Sequence, residues 1–61
     1  MRAIRYKDGK LAGWSLGPCV AIKQPGGGYD LYSRCGYYFG FFHKLKDCRM
    51  YVLMEVHNEF T

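Results

Sequence analysis

Hydrophobic and polar positions change rhythm once along the chain. Over residues 3–42 apolar side chains come in short runs cut by Gly and Pro. Over residues 45–57 neither breaker occurs, and Leu45, Cys48, Val52 and Val56 recur at steps of three and four. The second rhythm is one face of a helix. The first predicts strands over residues 3–7, 10–16, 19–23, 29–33 and 37–42. Asp8-Gly9 supplies a tight left-handed turn, Gly17-Pro18 limits the second strand, and residues 24–28 and 34–36 are further turns. The expected fold is α+β, a small antiparallel sheet of three to five short strands followed by one C-terminal helix packed across it. Residues 1–61 form one domain, with no repeat and no linker.

Two segments carry more apolar surface than that fold can hide. On a helical wheel at about 100° per residue, Met50 and Met54 fall opposite the stripe of Leu45, Cys48, Val52 and Val56. Tyr51 and Leu53 fall to either side of it, so the helix is apolar all round, whereas one sheet covers only one side. The strand over residues 37–42 has aromatic residues of both parities, which puts large apolar groups on both sheet faces. Trp14 and the 10–18 segment folding over the second face is one way to cover it. Even then Met50, Tyr51 and Met54 remain, and Tyr and Met are residues that interfaces favour. Met50, Tyr51, Met54, Tyr38 and Tyr32 are the expected protein contacts.

Composition sharpens this picture. With 61 residues, six Tyr, four Phe and 49% hydrophobic positions, the chain is too apolar for disorder. It is also too short to bury more than about 60% of its unfolded surface, so it gains from a partner. Cys19, Cys35 and Cys48 are odd in number, and Met1 leads straight into Arg2 and Arg5, which resembles no secretion signal. A reducing, cytoplasmic setting is expected, the host cytoplasm for a phage protein. The longest apolar run is cut by Gly40, so no membrane span is expected.

The net charge of +4 comes from nine basic and five acidic residues. It favours an acidic partner, a nucleic acid or an acidic protein face. Arg2, Arg5, Lys7 and Lys10 crowd the first ten positions. Lys44, Lys46 and Arg49 crowd the helix start, where free N–H groups and the macrodipole favour negative charge and no Ser, Thr, Asp or Asn caps the end. With His43 they form a candidate anion site.

Catalytic and metal chemistry find little support. Cys35, His43, Cys48 and His57 include no close ligand pair of the kind zinc sites use, and Cys48 and His57 fall on opposite sides of the helix. Gly26-Gly27-Gly28 is followed by a strand where a phosphate loop needs a helix. Ser15 and Ser33 lie outside any nucleophile elbow, and a domain this small has no walls for a substrate pocket. The chain reads as a non-enzyme with no metal and no cofactor.

The run Gly36-Tyr37-Tyr38-Phe39-Gly40-Phe41-Phe42-His43-Lys44-Leu45-Lys46-Asp47-Cys48 resembles the last-strand-to-helix junction of AP2-type plant DNA-binding domains and integrase arm-binding domains. That resemblance implies a three-stranded sheet entering a DNA groove with a helix bracing it. Lys44 stands where those families have a small or hydroxyl residue, and none of their binding residues carries over.

The expected function is therefore a small protein-binding module. Its size and simplicity suit a phage or mobile-element inhibitor of a host nucleic-acid-handling or defence complex. A sheet-type nucleic-acid binder is the first alternative, with Arg2, Arg5, Lys7, Lys10, Lys23 and Arg34 on phosphates and exposed aromatics on bases. A homodimer with mutual apolar burial is the second.

Overall fold

The structure, a computed structural model, describes the backbone of residues 1–59 and the side chains of residues 1–55. The Val56 and His57 side chains, expected on the helix stripe and as a candidate ligand, lie outside the described residues. Five strands run in chain order, β1 (Arg2–Arg5), β2 (Leu11–Leu16), β3 (Cys19–Lys23), β4 (Tyr29–Ser33) and β5 (Tyr38–Phe42). They form one antiparallel meander, and a single helix, α1 (Leu45–Glu59), follows. This is the α+β class expected from the change of rhythm.

Three of the four connections are the same device. In Tyr6 to Lys10, Gln24 to Gly28 and Ser33 to Tyr37, the first N–H donates to the fifth carbonyl, at 2.9, 3.0 and 2.8 Å. In each, the N–H of the fourth residue, Gly9, Gly27 or Gly36, donates to the first carbonyl, with φ of 88°, 99° and 96°. A three-residue loop with glycine at its left-handed position matches strand twist, and no L-residue adopts that φ cheaply. The first turn thus corrects the sequence reading. Asp8 is not left-handed but accepts from the Lys10 N–H at 2.9 Å, and β1 stops at Arg5 instead of residue 7. The fourth connection is the two-residue Gly17-Pro18 turn.

The register sorts side chains into two faces. Toward α1 lie the row Ala3, Trp14, Ala21, Leu31 and Gly40, the pair Leu16 and Cys19, and the row Lys23, Tyr29 and Phe42. Leu16, Cys19, Ala21, Leu31, Cys48 and Val52 form the buried core, with Trp14, Tyr29, Phe39, Phe42, Leu45 and Tyr51 packed around it. Leu31 and Cys48 are fully buried. Burial, followed by the negative charge of Asp47, pushes the Cys48 thiol above its ordinary 9.0. The segment holding Trp14 is strand β2, and Trp14 sits on the helix side. It does not fold over the second face.

Two bulges shape the sheet. On β2 the register skips Ala12, so Gly13 approaches β3 so closely that a Cβ there would lie 2.1 Å from the Ala21 carbonyl oxygen. On β5 it skips Phe39, next to Gly40 with φ 149°. Strict alternation would pair Tyr38 with Phe42 and Phe39 with Phe41. The extra residue breaks that parity. Phe39 and Phe42 both reach α1, while Tyr38 and Phe41 share the opposite face.

Candidate functional site

Two surfaces remain once the core is closed, and they lie on opposite sides of the sheet. The first is the outer face of α1. Because Cys48 and Val52 are held inward, the roughly 100° step sends Met50, Leu53 and Met54 outward, where they are 53%, 64% and 61% exposed. Met50 and Met54, one turn apart, form a single ridge. Beside it runs a groove of about 300 Å³ between α1 and the β2–β3 turn, floored by Leu16, Pro18 and Val52 and bordered by Met1, Leu53 and Arg49.

Charge at this surface is mostly positive. Lys44, Lys46 and Arg49 are exposed around the helix start, with Asp47 in the first turn as the acidic exception. The Lys44 carbonyl accepts from the Asp47 and Cys48 N–H groups, at 3.1 and 3.4 Å. The helix begins on backbone bonds rather than on a capping side chain.

Tyr51 departs from its expected place. Its ring packs between Phe39 and Phe42, with centroids 5.6 and 5.4 Å away, and it is half-buried. Burial, then the Glu55 carboxylate, raises its hydroxyl above the ordinary 10.0. The bulge at Phe39 creates this aromatic cleft, which draws Tyr51 out of the exposed set. On the helix side of β5 the exposed aromatic ring is Tyr37, 5.2 Å from Phe39.

The second surface is the sheet face away from α1. Two complete rows cross it, Arg2, Ser15, Val20, Tyr32 and Tyr38 in one, and Ile4, Gly13, Ile22, Asp30 and Phe41 in the other. No helix or strand among the described residues lies over them. Tyr32 and Tyr38 are 5.3 Å apart, and the Tyr38 hydroxyl donates to Asp30 Oδ1 at 3.3 Å. Burial, followed by that carboxylate, raises the Tyr38 hydroxyl. Phe41 lies against Gly28, where a Cβ would meet its ring at 2.2 Å, and edge-on to His43.

The basic residues expected on phosphates are dispersed. Arg34 donates through Nε to the Gly17 carbonyl at 2.7 Å and through Nη2 to Ser15 Oγ, which staples the β4–β5 turn to the β2–β3 turn. Arg5 donates to the Gly9 carbonyl at 3.0 Å. Lys10 and Lys23 border a shallow depression with Tyr6 and Pro25, and Lys7 is exposed in the first turn. Of the expected protein contacts, Met50 sits with Met54 and Tyr32 with Tyr38, but the two pairs face opposite ways. Sequence reasoning placed Leu53 in the apolar excess of the helix without counting it as a contact, and missed Met1 and Pro18 on the first surface and Phe41 on the second. Gly40 inside an aromatic run was the available signal for Phe41, because an isolated strand glycine marks a bulge.

Among the described residues no three His, Cys, Asp or Glu side chains gather as a metal site, and no helix is long and apolar enough to cross a membrane. Ser15 Oγ is engaged by Arg34, and Ser33 Oγ accepts the Tyr37 N–H at 2.9 Å. Cys19, Cys35 and Cys48 form no disulfide. Compared with known proteins, the chain matches no family model, no curated protein and no solved structure. The AP2 and integrase-arm resemblance therefore has no family match behind it, and the sheet has five strands where that likeness implied three.

Proposed function

We propose that this chain is a small protein-binding module that docks through the outer face of α1 and the groove beside it. One observation carries the reading: Met50, Leu53 and Met54 stand more than half exposed on a helix whose inward residues are sealed in the core. A contiguous apolar ridge beside an apolar groove is what partner-binding surfaces present, and Met adapts to an irregular counterpart. The occupant is a protein surface with an apolar centre and an acidic rim, matched to Lys44, Lys46 and Arg49. Met50, Leu53 and Met54 are the central contacts, and Tyr51 supports them from beneath through its packing on Phe39 and Phe42. A phage or mobile-element inhibitor of a host complex is one setting that suits such a module.

The test compares the wild-type chain with the Met50→Ser/Met54→Ser variant in capture from nuclease-treated lysate, with light scattering on both. The expected result is an acidic protein retained by the wild type and lost with the variant, while both chains stay monomeric and keep the same circular dichroism. Equal retention by both chains contradicts the assignment. A wild-type dimer that the variant breaks makes the occupant a second copy instead.

A further inference from the structure

The open sheet face has a composition that the helix surface lacks. Its aromatic members stand on the neighbouring strands β4 and β5, with Tyr38 51% and Phe41 45% exposed and Tyr32 beside them. Rows on one face are two residues apart, roughly 6.6 to 6.8 Å, so aromatic side chains stand at two successive levels. At the far end of the Tyr38 row is Arg2, four strand spacings or about 19 Å away. Arg34 is fixed over the same end by its bonds to Ser15 Oγ and the Gly17 carbonyl. The acidic residue in these rows, Asp30, is engaged by the Tyr38 hydroxyl.

We infer that this face is a binding site for single-stranded nucleic acid, with bases stacked on Tyr38, Tyr32 and Phe41 and backbone phosphates on Arg2 and Arg34. Ring faces take any base by stacking, and cations at the end of a row take phosphate, which is how single strands are held without sequence readout. A duplex fits less well, because its bases are already stacked and its groove edges are read by polar side chains, whereas this face offers rings and aliphatic groups. The chain's excess of basic over acidic residues, nine to five, brings polyanions to it. The inference stands apart from docking on α1, since the two surfaces share no residue.

Fluorescence anisotropy with labelled DNA and RNA strands of about 12 nucleotides, and the matching duplex, tests it. Single strands should bind more tightly than the duplex. With two phosphate contacts, affinity should fall about 7-fold between roughly 50 and 200 mM salt, from a slope near −0.7 per phosphate. Tyr38→Ala should weaken binding about 10-fold or more, whereas Tyr38→Phe, which keeps the ring and drops the bond to Asp30, should bind like the wild type. Arg2→Gln should lower the salt slope by about 0.7. Met50→Ser/Met54→Ser should leave oligonucleotide affinity unchanged, which separates this site from the helix surface. Absence of saturable binding at low salt, preference for the duplex, or equal affinity in folded Tyr38→Ala and Arg2→Gln would each overturn the inference.

Discussion

Leu31→Ala removes the one large aliphatic side chain that is buried completely among the described residues. Leu31 is 0% exposed, and its flanking partners in the helix-side row are Ala21 and Gly40. Neither can swing into the space left behind, so the cavity persists unless α1 itself sinks toward the sheet. Leu-to-Ala changes cost about 2 to 5 kcal/mol, rising with the residual cavity, and this site belongs in the upper half of that range. A domain of this length has about 3 to 9 kcal/mol in all, at roughly 0.05 to 0.15 kcal/mol per residue. With an m-value near 1 kcal/mol/M in urea, the midpoint should drop by about 3.5 to 5 M, enough to leave much of the variant unfolded in buffer. Trp14, packed against the same core, reports the transition by fluorescence, with circular dichroism as a second probe. A midpoint shift below about 1 M would show that Leu31 is not the centre on which the sheet and helix close.

Gly13→Ala should destabilise by about 3 kcal/mol, the upper end of the usual overpacking cost, because the new Cβ meets the Ala21 backbone oxygen at 2.1 Å and no flexible side chain can yield. Gly26→Ala, with nothing within 4 Å, is the control and should be neutral or slightly stabilising in the same urea titration. Alkaline pH should destabilise the chain. Cys48, Tyr38 and Tyr51 all have folded-state values raised above 9.0 or 10.0, so their stabilising share is intact below pH 9 and is lost as pH rises through the raised values. Cys48→Ala should remove the part of the decline that begins near pH 9, and Tyr51→Phe the part that begins near pH 10. A pH–stability curve flat to pH 11 would contradict both.

Much of the architecture was legible because backbone punctuation and periodicity are local. The Gly and Pro positions fixed the strand order, and the three-and-four spacing of Leu45, Cys48 and Val52 fixed which side of the helix turns inward. The exposed Met50 and Met54 followed from the same wheel. What escaped were effects of single extra residues. The skipped Phe39 reverses the facing of half of β5, so the sequence could show that both faces were aromatic but not which rings went where. Tyr51 lies near the edge of the stripe by angle alone, and only the cleft between Phe39 and Phe42 decides that it turns inward. The uses of Arg34 and Arg5 were equally hidden, because both bond to backbone carbonyls of turns whose positions depend on the folded register.

Methionine footprinting bears most directly on the docking surface. The chain's three methionines, Met1, Met50 and Met54, all lie at or beside the proposed interface and are 61%, 53% and 61% exposed. Mild peroxide should convert all three to sulfoxide readily in the free chain, read by mass spectrometry. In the complex with the captured partner, Met50 and Met54 should be protected several-fold. Oxidation of both at the free-chain rate within an intact complex would place the partner somewhere other than α1.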